Sequence, residues 1–259
     1  MTARDPALDF YDDLAGEYHL IHADWDDSLA RQAAALDAII RARLGPGTLR
    51  LLDCSCGIGT QALGLAALDY RVHATDISPE AVARAGREAG DRGLVLSFGV
   101  ADLRELETQV AGEFDVVLSC DNALAHMRSG AEVEQAIANM AAKVAPGGLL
   151  LASIRDYDAL VRDRPVFAPP SIFDAPTGRR VVVQLWDWEP DGRGYRMTLF
   201  ILRPDHGGWT MKHYETTMRA VLRDEVSAAI ARAGLGDVAW RMPGADGYYQ
   251  PVVTARKPD

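Results

Sequence analysis

Asp53, Gly57, Gly59 and Asp76 are the residues whose types and spacing point most directly to chemistry. In Leu51-Leu52-Asp53-Cys54-Ser55-Cys56-Gly57-Ile58-Gly59-Thr60 a buried strand ends on an acid, turns through two glycines and opens a helix. Gly57 and Gly59 let the backbone approach a ligand that any Cβ would exclude. Asp76, in Ala74-Thr75-Asp76-Ile77, closes the next strand, where a carboxylate can accept from both hydroxyls of a ribose. This combination suits a nucleoside cofactor. The glycine spacing is shorter than the dinucleotide fingerprint, so no pyrophosphate cradle is implied, and S-adenosylmethionine (SAM) fits better than NAD. Asp102, in Val100-Ala101-Asp102-Leu103, could accept from an adenine amino group with Leu103 packed nearby. Its plainer alternative is a turn aspartate.

Positioning these residues takes alternating strands and helices. Helical periodicity over Ser28–Leu44 stops at Gly45-Pro46-Gly47, and a strand follows at Leu49–Asp53, then a helix at Thr60–Leu68. Arg71–Thr75 reads as strand two, and Ser78-Pro79-Glu80 opens a helix with Ser as N-cap and Pro in its first turn. Leu94–Val100, Phe114–Ser119 and Leu149–Ile154 supply strands three to five, with a helix at Ala131–Val144. This rhythm predicts an α/β fold, a doubly wound Rossmann-like sheet with helices on both faces. Beyond Tyr157 it breaks into three antiparallel strands, Arg180–Glu189, Tyr195–Arg203 and Trp209–Met218. A helix at Asp224–Ala233 and two closing strands, Val238–Met242 and Val252–Lys257, complete the main sheet. The expected layout is one domain over 1–259, with an N-terminal lid at 1–30 and an antiparallel β cap inserted after strand five at 158–220. Ligands in such sheets bind outside the carboxyl ends of the strands, where the motif residues fall.

The 259 residues, 48% apolar and 25% charged, can bury a full core, and the net charge of −10 disfavours a nucleic-acid partner. No stretch reaches membrane-spanning length, and MTARDPALDFYDD lacks the apolar core of a signal peptide. A cytoplasmic protein is expected, acting on a small molecule without membrane or nucleic acid, and open to homo-oligomerisation. Cys54, Cys56 and Cys120 lack the paired spacing of a zinc site and read as reduced thiols, so no metal is expected.

The sequence resembles the class I SAM-dependent methyltransferases, and more narrowly the glycine/sarcosine N-methyltransferase group. The residues that carry the likeness are the glycine turn, Asn122-Ala123-Leu124-Ala125-His126 after strand four, Arg155-Asp156-Tyr157-Asp158 after strand five, and Tyr248-Tyr249-Gln250-Pro251. The resemblance implies a seven-stranded methyltransferase sheet and a cofactor wall of Tyr11, Arg31, Asp53, Cys54, Gly57, Asp76, Ile77, Asp102, Leu103 and Cys120. Within that set, Arg31 would pair with the methionine carboxylate; alone, it reads as a solvated helix face. Arg155 would hold a substrate carboxylate, for which a planar two-donor fork suits a planar anion. Asn122 and His126 would line the path between cofactor and acceptor, and Tyr214 would point a hydroxyl into the cap.

The resemblance also implies that the aromatic segment from Phe10 to Trp25 closes over the cofactor. Tyr11 or Tyr18 would then stand near the sulfonium, and Glu17, His19 and His22 are candidates for proton removal, so Tyr18, His22 and His126 form the expected catalytic group. Trp186-Asp187-Trp188 and Phe200-Ile201 stand where the family has polar residues and a tyrosine. Trp186 and Trp188 either wall a flatter substrate, where a Trp face can hold a cation at roughly 0.5–2 kcal/mol, or pack the insertion onto the sheet. The leading expectation is methyl transfer to an amine nitrogen of an amino-acid-like molecule. The alternatives are an indole-type C- or N-methyltransferase and, remotely, a non-catalytic SAM-binding module.

Overall fold

A computed structural model describes residues 5–175, 178–244 and 247–259. The chain opens with α1 (Pro6–Leu14), whose N-cap Asp5 accepts from the Ala7 N–H and whose Phe10 and Leu14 are buried. A short 3₁₀ turn over Tyr18–Ile21 leads to α2 (Trp25–Leu44), capped by Asp24. The sequence expectation placed the first helix at Ser28. It missed both α1 and the early start of α2, although Asp5-Pro6 and Asp24 are ordinary helix-start signals.

Strands and helices then alternate as β1 (Arg50–Asp53), α3 (Thr60–Ala66), β2 (Arg71–Asp76), α4 (Pro79–Asp91) and β3 (Ser97–Val100). A short α5 (Leu106–Gln109), β4 (Phe114–Ser119), α6 (Gly130–Lys143) and β5 (Val144–Ser153) continue the series. Leu51, Leu52, Val116, Val117, Leu118 and Leu149 to Ala152 are buried, as expected of strands covered on both faces.

After β5 come a short α7 (Tyr157–Asp163) and four strands of a separate antiparallel sheet. These are β6 (Phe167–Ala175), β7 (Gly178–Trp188), β8 (Gly194–Asp205) and β9 (Gly208–Arg219). The expectation of three cap strands is corrected to four. Pro169-Pro170 hid β6, because proline cannot donate to a ladder. The pair skips register between Ala168 and Ser171, and β6 is an edge strand, where such residues are tolerated. The chain closes with α8 (Arg223–Arg232), β10 (Gly236–Arg241) and β11 (Val252–Arg256).

The main sheet is ordered β3-β2-β1-β4-β5-β11-β10, with β1 to β5 parallel and β11 antiparallel to both neighbours. Strand order reverses between β1 and β4, so their carboxyl ends open a crevice at the switch point. The cap is not an appendage. Val182, Trp186, Tyr195, Met197, Leu199 and Ile201 share one apolar cluster with Leu52, Val117 and Leu150 of the main sheet. Among the described residues no helix is long and apolar enough to cross a membrane.

Candidate functional site

The crevice is built by the turn after β1. Cys54 N–H donates to the Leu118 carbonyl at 2.9 Å and Cys56 N–H to the Thr75 carbonyl at 2.9 Å, which splays the turn between β4 and β2. Gly57 (φ +52°) and Gly59 (φ +99°) both use the left-handed region, for different reasons. A Cβ on Gly59 would meet Leu63 at 2.9 Å, so that glycine packs the helix start. A Cβ on Gly57 would meet nothing within 4 Å, so that glycine leaves room for a ligand.

Asp76 stands beside it. One carboxylate oxygen accepts from the Gly57 N–H at 2.8 Å and the other from the Ser78 N–H at 2.9 Å. Burial raises its pKa, partly offset by these bonds. Asp53 is fully buried and accepts from the Ser55 N–H, while its other oxygen has no partner among the described residues. Burial pushes its carboxyl up to about 8.

Two lobes of a cavity meet at this wall. The first, about 480 Å³, runs past Cys54, Asp76, Ile77, Ala101, Asp102, Leu103 and His126. The second, about 380 Å³, runs past Tyr18, Gly57, Thr60, Gln61, Cys120 and Asp121. Both touch Tyr11, Ser55, Asp76 and Ala123. An apolar slot between Ile77, Ala101 and Leu103, a carboxylate at the junction and a glycine with an open Cβ position match an adenosine bearing a short polar tail. The residues fit SAM. Cys54, Cys56 and Cys120 are free and buried at the same wall, and burial holds their thiols well above the ordinary range.

The N-terminal segment supplies an aromatic side. The Tyr11 hydroxyl lies 3.0 Å from Nε2 of His126, and the rings of Tyr11 and Tyr18, and of Tyr18 and His22, stand 6.2 Å apart. Burial raises the pKa values of both tyrosines and lowers His126 to about 4, so the imidazole is neutral near pH 7. His22 is also lowered by burial, and its Nε2 has no partner among the described residues.

Arg155, after β5, is the unusual cation. Its Nη2 donates to Gln184 at 2.9 Å, its guanidinium lies 4.9 Å from the Trp186 ring centre, and its buried Nη1 has no hydrogen-bond partner among the described residues. Among the described residues no carboxylate pairs with it. Its positive charge acts on Tyr11, Tyr18 and His126, which line the cavity.

Several expected residues are already engaged by other side chains or the backbone. Arg31 pairs with Asp27 at 2.8 Å with its side chain 66% exposed, so the structure does not bring it to the cavity. An i,i+4 acid on the same helix face offers a closer partner. Asp102 lines the first lobe, yet Arg104 holds both of its carboxylate oxygens. Asn122 spends its side chain on structure, accepting from the Arg155 N–H at 3.2 Å and donating to Tyr157 at 2.9 Å. Tyr214 donates to Glu17 at 2.7 Å, and Glu17 is also paired with Arg203 and Lys212, which ties the N-terminal segment to the cap. Trp188 donates to the Pro165 carbonyl and makes a tilted ring contact with Tyr195, so it packs the cap, whereas Trp186 offers its face to Arg155.

Asp121 was missed. It lines the second lobe and accepts from the hydroxyls of Tyr248 and Tyr249, both named in the sequence motif near the chain's end.

Residues 51–148 match the model of a methyltransferase-domain family. The glycine/sarcosine N-methyltransferase of Parasynechococcus marenigrum (strain WH8102) is 33% identical over 138 residues, covering 53% of this chain and 48% of that protein. The chain spans about half the length of the glycine/sarcosine relatives it matches. A Streptomyces fradiae protein, dTDP-3-amino-3,6-dideoxy-alpha-D-glucopyranose N,N-dimethyltransferase, is 27% identical over 89% of this chain and 86% of its own. The crystal structure of Streptomyces venezuelae DesVI superposes with a TM-score of 0.78 at 19% identity, over 95% and 98% of the two chains. SAM-bound CalS10, an amino pentose methyltransferase from Micromonospora echinaspora, gives 0.72 at 23%, over 89% and 92%. The methyltransferase-domain match at 51–148 carries the glycine turn and the ends of β1 to β4, and the seven-stranded sheet with its antiparallel cap shares the fold of DesVI and CalS10.

Proposed function

We propose that the chain transfers a methyl group from SAM to an amine nitrogen of a small molecule bearing an anionic group, and that Arg155 holds that group. The carrying observation is Arg155 itself, a cation whose buried Nη1 has no partner among the described residues and whose charge acts on the cavity-lining Tyr11, Tyr18 and His126. A buried charge is costly without a partner, and a bidentate anion supplies one. Asp76 would meet the ribose, Ile77 and Leu103 the adenine, and Gly57 and Gln61 the methionine end. Bound SAM supplies an electrophilic methyl group, so the protein needs no nucleophile of its own.

What the residues must do is align the acceptor, exclude water and keep its nitrogen unprotonated. Alignment alone can contribute about 7–11 kcal/mol in favourable cases. The fixed charge of Arg155 disfavours an ammonium beside it, which lowers the acceptor's pKa. Neutral His126, bonded to Tyr11, can accept a hydrogen bond from the amine or pass its proton outward. Tyr18 and Tyr11 close the aromatic side.

Relatives named for N-methylation of glycine, sarcosine and an amino sugar support nitrogen as the target. The indole alternative loses its main support. Trp188 is bonded within the cap, and the Trp186 face is taken by Arg155. The test is incubation with SAM and separate panels of amino acids, amino sugars, indoles and phenols, read by mass spectrometry for one added CH₂. Methylation confined to indole carbon or phenol oxygen would sink the amine assignment.

A further inference from the structure

On the outer side of the N-terminal segment lies another cavity, where His19 and Leu20 face Arg179, Arg180, Arg203 and Asp205 of the cap. Arg180 sets its character. It is only 8% exposed, its Nη2 donates to the His22 carbonyl at 2.6 Å, and its guanidinium lies 5.1 Å from the Phe173 ring centre. Among the described residues neither its buried Nε nor Nδ1 of His19 has a partner. No carboxylate is paired with it among the described residues.

The nearby acids leave that charge unmatched. Asp174 is taken by Arg179, and Glu17 is shared by Arg203 and Lys212. Asp205 stands at the rim with its side chain 56% exposed.

This site is separate from the one at Arg155. Arg180, Val182, Gln184 and Trp186 alternate along β7 and so share one face of the strand. Arg155 engages Gln184 and Trp186, and Arg180 lies four residues from Gln184, about 13 Å away along an extended strand.

We propose that this outer cavity binds a phosphoryl group, held by Arg180 with His19 and Arg203. A planar carboxylate is satisfied by one guanidinium fork. Two arginines and an imidazole lining one cavity suit a tetrahedral anion with several acceptor oxygens and more than one negative charge. The site does not depend on which acceptor is methylated, because no residue of it lines the inner cavity.

Calorimetric titration of the whole chain with inorganic pyrophosphate tests it, with SAM affinity measured on each variant as the check of folding. Saturable binding is expected, weakened at least about 10-fold in Arg180→Gln and about 3- to 10-fold in Arg203→Gln. Arg41→Gln, on a distant face of α2, should bind like wild type. Should Arg180→Gln lose its fold, the half-exposed Arg203 variant still reads the site. The nucleoside diphosphate UDP serves as a second probe. Tighter binding than pyrophosphate assigns the phosphoryl group to an organic ligand, and equal binding assigns it to the free anion. No saturable binding by the wild type, or arginine variants that bind as well as it does, would overturn the proposal.

Discussion

Two arginines, Arg104 in the wall of the inner cavity and Arg155 after β5, differ in almost every respect that matters. Arg104 is saturated: it holds Asp102 at 2.6 Å and Asp5 at 2.7 Å, with Glu132 at 3.7 Å. Those bonds raise its pKa further and fasten the start of α1 to the loop after β3. Arg155 has an amide oxygen, an aromatic face and, among the described residues, no acid. Saturation marks a residue that holds the protein together. Vacancy around a buried cation marks one kept for something that arrives.

Replacing each arginine by methionine is the sharpest way to break this comparison. Arg155→Met should cost about 100-fold or more in kcat/KM for the acceptor, with SAM affinity unchanged, since removing one partner of a buried charge pair costs roughly 2–5 kcal/mol. The same change should leave the ligand-free protein as stable as before or more so, because an uncompensated cation is gone. Arg104→Met should do the reverse, lowering stability by about 1–3 kcal/mol by stranding two acids. Denaturant midpoints and steady-state kinetics on both variants decide the matter. A destabilised Arg155→Met with normal kinetics would reverse the assignment.

Asp76→Ala comes next. It removes the ribose partner proposed here and strands the N–H groups of Gly57 and Ser78, so SAM affinity should fall about 10- to 100-fold by calorimetry. Retained affinity would place the ribose elsewhere.

The acid behind the turn gives a smaller, pH-dependent effect. Asp53 has its folded pKa raised from an ordinary 3.8 to about 8, so the native state binds the extra proton between those values. Its contribution to stability is therefore full below about pH 4 and is lost as pH rises towards 8. His126, lowered to about 4, works oppositely, with stability gained from pH 4 to its unfolded pKa near 6.5. Unfolding curves of Asp53→Asn against wild type isolate the first slope; the variant should be relatively more stable at pH 8 than at pH 4.

The smallest expected effect is Tyr11→Phe, about 3- to 10-fold in kcat, because one hydrogen bond to a neutral imidazole is lost while the ring remains.

Legibility in the sequence followed the range of the contacts. The glycine turn and Asp76 were readable because strand, turn and cap lie within 25 residues and each local preference agrees. Arg155 was readable as a strand-end cation, but its lack of an acid was not, since that depends on what Gln184 and Trp186 bring from the cap. Asp121 was hidden for a similar reason. Its tyrosine partners lie more than 120 residues away, and its left-handed backbone (φ +56°) has no glycine to announce it. Arg31 shows the opposite failure, a role carried over by likeness to a side chain that here has a nearer partner in Asp27.

The three cysteines at the cavity wall carry one more consequence. Each is a free thiol, buried and held protonated, so alkylating reagents should find none of them reactive while the wall is closed. Their labelling then becomes a clock for opening, with no added probe. Slower labelling on addition of SAM would time how long the bound cofactor keeps the wall shut.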